Sequence, residues 1–147
     1  MPELSREELW RQLRQGALVP VYVLFGSESL LRDRAANEIV SRSFAGGDLR
    51  DFNFDEFSLN NKELITTAIA SAEQLPMMSQ RRVVKLVDIR VAATSMRDTL
   101  HESCEELLAR YLSRPAPTTV MIFVADELNG NRKLTKLLKQ HVRMPSL

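Results

Sequence analysis

Chemistry could first arise at Phe25-Gly26-Ser27-Glu28-Ser29-Leu30-Leu31, where an apolar run passes through one glycine into a helical pattern. A phosphate-binding loop would sit there. Such a loop needs several glycines, so that backbone amides can cradle phosphates. It also needs a lysine for the terminal phosphates and a Ser or Thr hydroxyl for magnesium. This stretch has one glycine and no lysine, and the Glu28 carboxylate would repel phosphate. Gly26, Ser27 and Glu28 therefore read as a degenerate loop that is not expected to bind nucleotide. Asp126-Glu127, after the apolar run Val120 to Val124, resembles the acidic end of an ATPase strand. There one carboxylate would hold magnesium and the other would orient water. Without a phosphate loop the pair has nothing to act on, and a polar strand end is the simpler reading.

Metal chemistry finds too few ligands. His101, His141 and Cys104 are the soft donors, and His101 and Cys104 stand one helical turn apart, which does not complete a site. Cys104 is expected to pack on a buried helix face. No serine or cysteine has an identifiable base. No metal, no cofactor and no catalysis by this chain alone are expected.

Two further patterns concern binding. Arg132, Lys136, Lys139 and Arg143, spaced by four, three and four, fall on one helical stripe opposite Leu134, Leu137, Leu138 and His141. The stripe is either a solvated face or a contact for DNA or an acidic partner, and it lacks the interleaved aromatics that stack on single strands. The other pattern is Leu75-Pro76-Met77-Met78-Ser79-Gln80-Arg81-Arg82. Pro76 disfavours helix at Leu75 and cannot continue a hydrogen-bond ladder. Met77 and Met78 thus sit at a turn, where two adjacent apolar side chains are hard to bury together. Core packing is the ordinary fate of methionine. Exposure would imply docking to a partner, with Arg81 and Arg82 as strand-start charges or a rim.

The elements that must position these residues follow from the rest of the chain. Its 147 residues suffice for one domain with a core, and 44% apolar with 27% charged residues is ordinary for a globular protein. A net charge of +1 gives no global pull toward nucleic acid or membrane. The lone Cys104 fits a reducing compartment, and a cytoplasmic location is expected. Apolar runs are strand-sized, short of the ~20 residues that span a bilayer, so no membrane partner is expected.

Ser5-Arg6-Glu7-Glu8 has capping-box spacing ahead of a helix through Leu9, Trp10 and Leu13, which Gly16 ends. Val19 to Phe25 reads as a strand buried on both faces, with Pro20 near its start. Ser27 could cap the next helix, with Leu30, Leu31, Ala35, Ile39 and Val40 facing inward and Gly46-Gly47 ending it. Phe52, Phe54, Phe57 and Leu59 suggest a second strand, whose slipped alternation argues for an edge or a bulge. Leu64, Ile65, Ala68, Ile69 and Ala72 form a helix, and Val83 to Ile89 a strand. Arg90 to Thr94 is read as a loop. A helix capped at Ser95 carries Met96, Leu100, Cys104, Leu107, Leu108 and Tyr111. A strand over Thr118 to Ala125 and a helix from about Asn131 to Val142 follow. Strands alternating with helices predict an α/β fold, a three-layer parallel sheet with helices on both faces. The ending at Met144-Pro145-Ser146-Leu147 suggests an N-terminal piece of something longer.

These residues together resemble the delta subunit of the bacterial DNA polymerase III clamp loader. The likeness rests on Val19 through Leu31, on Leu75 through Val84 and on Leu134-Thr135-Lys136-Leu137-Leu138-Lys139, and runs over nearly the whole chain in element order. The resemblance implies an AAA+-like, P-loop-NTPase-like first domain with its phosphate loop lost, here residues 1–147, and with the family's later domains absent. It implies a non-catalytic subunit that binds the sliding clamp (the beta subunit) and helps open it for loading onto primed DNA, while neighbouring subunits hydrolyse ATP. The family's clamp contact is a pair of large apolar residues, typically leucine and phenylalanine, at the positions of Met77 and Met78, flanked here by Leu75, Pro76 and Ser79. Methionine keeps the apolar volume but lacks the rigid aromatic surface of a strong anchor. Other loader subunits would be contacted through the missing domains, and DNA in the full complex.

Overall fold

The computed structural model describes residues 3–141 and 144–145. Helix α1 (Arg6–Arg14) begins as its capping box predicts, with the Ser5 hydroxyl accepting from the Glu8 amide at 3.2 Å. Short strand β1 (Glu3–Leu4) precedes it and pairs in parallel with β6 (Met144–Pro145). Between them run β2 (Val21–Leu24), α2 (Ser29–Ser43), α3 (Arg50–Asn53), β3 (Phe54–Ser58), α4 (Leu64–Ala72), β4 (Arg82–Val91), α5 (Glu105–Ser113), β5 (Thr119–Leu128) and α6 (Lys133–His141).

Strands β2, β5, β4 and β3 lie in that order in one sheet, all pairs parallel. Each strand's alternate residues serve opposite faces. Val21 and Val23 join Val84, Leu86, Met121 and Phe123 against α4, α5 and α6. Tyr22 and Leu24 join Val83, Ile122 and Val124 against α1 and α2. The result is the three-layer α/β arrangement that the alternation of elements predicts. Strand β3 is an edge, as its slipped pattern suggests. Phe54 leans into one core and Phe57, three residues on, into the other.

Several local expectations are corrected. Ser27 does not cap α2; Glu28 holds the cap position without a side-chain bond, and Leu30 is exposed rather than buried. The helix stops at Ser43, ahead of the paired glycines. Phe52 lies on α3 and faces outward, not in a strand. Residues 90 and 91 belong to β4, which carries a bulge where Asp88 takes φ 58°. No continuous helix runs from Ser95. Two 3₁₀ turns, Ser95–Arg97 and Glu102–Cys104, precede α5, and Met96 is fully outside the core at 91% exposure. The reason is non-local. Asp98 accepts the Ala92 amide at 2.9 Å, and the Thr99 amide donates to the Arg90 carbonyl at 2.9 Å, so the segment lies along β4 instead of coiling. Among the described residues no helix is long and apolar enough to cross a membrane.

Candidate protein-docking site

Helix α4 ends at Ala72 and β4 begins at Arg82; the residues between, 73–81, form an irregular loop at the end of the sheet where β4 starts. Its apolar side chains point outward. Leu75 is 82% exposed, Met77 57% and Met78 78%. Pro76 and Ser79 flank them, half-buried. Phe52 on neighbouring α3 adds a fourth exposed apolar side chain. Of the two fates left open for these methionines, core packing or exposure, the structure shows exposure.

The loop is exposed yet held. The side-chain amide of Asn53, wholly buried, donates to the Met77 carbonyl at 2.7 Å and accepts from the Met77 amide at 2.6 Å. Met78 then takes a left-handed backbone, φ 52°. For a residue with a Cβ that conformation costs about 1–2 kcal/mol. Ser79 closes the far side, its hydroxyl donating to the Arg81 carbonyl at 2.9 Å.

Arg82 is neither a strand-start surface charge nor a rim; it is buried. Its Nε donates to the Ser71 carbonyl at 2.9 Å, Nη1 to the Phe52 carbonyl at 3.1 Å, and Nη2 to the Ser71 hydroxyl at 2.8 Å and to Asp55. One guanidinium thus joins the end of α4, α3 and β3 beneath the loop. Sequence reading missed Asn53 and misjudged Arg82. Asn53 finds its partner 24 positions later, which no local pattern records.

The degenerate loop follows β2. Gly26 takes φ 134°, a backbone that side-chain-bearing residues rarely adopt. Opposite it, Asp126 and Glu127 are not free carboxylates. Arg32 of α2, buried, donates to Asp126 Oδ1 at 3.0 Å and to the Ala125 carbonyl. Glu127 pairs with Arg97 at 3.4 Å. A cation built into the chain thus sits against the first carboxylate.

The basic stripe is corrected at its first member. Arg132 precedes α6, and its guanidinium is consumed by Asp98, Glu102 (3.0 Å) and the Ala92 carbonyl (2.6 Å). Hydrogen bonding to Asp98 holds the Arg132 pKa above its ordinary value despite burial. Lys136 and Lys139 are exposed; Arg143 and the side chain of His141 lie outside the described residues.

Cys104 is buried, and its thiol donates to the His101 carbonyl at 2.8 Å. Burial pushes its pKa up to about 11. Among the described residues no three His, Cys, Asp or Glu side chains gather as metal ligands.

The family model described as DNA polymerase III, delta subunit, matches residues 22–146. The chain belongs to that family. This delta-family chain is 32% identical over 139 residues to DNA polymerase III subunit delta of Bacillus subtilis (strain 168), a match that covers 93% of the chain and 40% of that protein. It thus spans well under half of the curated relative's length. The solved structure of the Bacillus subtilis DNA clamp loader delta protein agrees with a TM-score of 0.80 at 30% identity, over 96% of this chain and 42% of that one. A P-loop NTPase domain, from the sigma-54 transport activator of Escherichia coli, agrees with a TM-score of 0.50 at 16% identity, over 92% and 83%. That last likeness is of fold alone, and it fits a delta-family sheet of the P-loop NTPase kind.

Proposed function

We propose that this chain is the N-terminal, AAA+-like clamp-binding domain of a delta subunit. It binds the sliding clamp and helps open it for loading onto primed DNA, as part of the cytoplasmic DNA polymerase III holoenzyme. It hydrolyses no ATP itself; the neighbouring loader subunits do that. The observation that carries the reading is the adjacent pair Met77 and Met78, 57% and 78% exposed on a loop whose backbone is fixed from below. Exposing two large apolar side chains side by side has a solvation cost that docking would recover. Burying each in a clamp pocket would contribute roughly 1.5–3 kcal/mol of transfer energy before ordering costs.

Calorimetry with the same organism's sliding clamp tests this, comparing wild type with the Met77→Ala, Met78→Ala double variant. Wild type should bind. The variant, folded by circular dichroism, should bind at least about tenfold more weakly. Equal binding by both would move the contact elsewhere.

A nucleotide-binding reading finds little support. Gly26-Ser27-Glu28 lacks the lysine, and Arg32 engages Asp126. A DNA contact through Lys136 and Lys139 is compatible with clamp binding, since α6 packs on the sheet face served by α4 and α5 and exposes these lysines.

A further inference from the structure

Asn53 closes α3 with none of its surface exposed. A buried amide must satisfy its donors and its acceptor. Asn53 does so with the backbone alone. Nδ2 donates to the carbonyls of Leu49 and Met77, each at 2.7 Å, and Oδ1 accepts from the Met77 amide at 2.6 Å. The Leu49 bond fixes the side chain on its own helix. The two Met77 bonds grip both polar groups of one residue, as a neighbouring strand would. Beneath, Arg82 holds the preceding Phe52 carbonyl at 3.1 Å, so the grip stands on a second buried anchor.

We propose that Asn53 is the positioning residue of the docking turn: by holding the Met77 backbone it keeps Met77 and Met78 presented before any partner arrives. The inference rests on the reading that this pair contacts the sliding clamp. Its physical content is preorganisation. A turn already in its bound shape loses less conformational freedom on docking. Freed from Asn53, residue 78 would leave its left-handed backbone, which is disfavoured for methionine. The apolar pair would then spread over many orientations.

The test uses Asn53→Ala and Asn53→Asp. Aspartate keeps the shape and can accept from the Met77 amide, but cannot donate to the two carbonyls. Amide exchange at Met77, followed by NMR, reports the grip without any clamp. Calorimetry with the clamp, run well below each variant's Tm, reports its consequence. Expected for Asn53→Ala are Met77 exchange and a clamp Kd each changed by about tenfold or more, with Asn53→Asp, whose second carboxylate oxygen would face both carbonyls, also binding more weakly than wild type. A structural role alone would lower Tm and leave the affinity of the folded protein where it was. Unchanged Met77 exchange, or unchanged affinity in a folded variant, overturns the proposal. Should Asn53→Ala not fold, unchanged clamp affinity in Asn53→Asp overturns it instead. Wild type that fails to bind the clamp while its Met77 amide is protected overturns the clamp reading, and the positioning role with it, whereas the grip itself would stand.

Discussion

Arg132 meets Asp98 with both terminal nitrogens, Nη1 to Oδ1 at 3.1 Å and Nη2 to Oδ2 at 2.6 Å. This paired geometry is stronger than a single contact between charges. It ties the start of α6 to the segment that leaves β4, and Asp98 is buried beneath it.

Burial acts to raise the Asp98 pKa. The hydrogen bond from Arg132, the Ala92 amide and the attraction of Arg132 and His101 outweigh it, and the carboxyl titrates below its ordinary value. The folded pKa is thus depressed relative to the unfolded one. Asp98 contributes stability that is fully present above the unfolded value of about 3.9 and is lost as pH falls through the folded pKa. Asp98→Asn should melt several degrees lower at neutral pH. It should also show a shallower loss of Tm below about pH 4 than wild type. Thermal melts across that range check this; parallel acid limbs would contradict it.

Arg32 makes a second prediction. Arg32→Met keeps the unbranched stem as far as the Nε position but removes the guanidinium head, leaving the Ala125 carbonyl unbonded and Asp126 unpaired. The loss should be about 1–3 kcal/mol, read by urea unfolding. Magnesium and ATP should stabilise neither wild type nor the variant, because the loop at Gly26 lacks the groups that hold phosphates.

Met78 separates stability from binding. Met78→Gly removes the Cβ from a left-handed backbone at φ 52°. Relief of that strain offsets glycine's greater unfolded-state entropy, so stability should stay level or rise by up to about 1 kcal/mol. Clamp affinity should fall. Denaturant melts and calorimetry on one preparation check both; a variant that binds as well as wild type would remove Met78 from the contact.

With Arg132 engaged, α6 shows three exposed lysines among the described residues, Lys133, Lys136 and Lys139. Three phosphate contacts would give a slope of log affinity against log salt of no more than about −3 on duplex DNA. Fluorescence anisotropy should find weak binding that Lys136→Glu with Lys139→Glu abolishes. A steeper slope would place DNA on another surface.

What was legible in the sequence was mostly local. Val21 to Leu24 is continuous apolar residues, and both sheet faces do bury it. Ser5 and Glu8 stand three apart, and the cap forms. Pro76 before two methionines forecast a turn, and of the two fates left open there the structure shows exposure. The failures at Ser95, Arg132 and Asn53 share one cause, a side-chain bond to a residue outside the local pattern. Thr99 bonds the Asp88 carbonyl at 2.6 Å and Asp98 the Ala92 amide, so the helix expected from Ser95 starts ten residues late, at Glu105. Arg132 looked like part of a basic stripe because Asp98 lies 34 positions earlier. Asn53 carried no signal, since what distinguishes it is the Met77 backbone it touches.

The loop between α4 and β4 also has a chemical vulnerability. Met77 and Met78 offer their thioethers to solvent, whereas Met121 is wholly buried. A peroxide that converts an exposed thioether to the sulfoxide replaces a soft apolar tip with a polar, chiral one. Leucine or phenylalanine in the same places could not be altered this way. The methionine pair therefore makes the apolar character of this loop a redox variable, restored by reductases specific for each sulfoxide epimer.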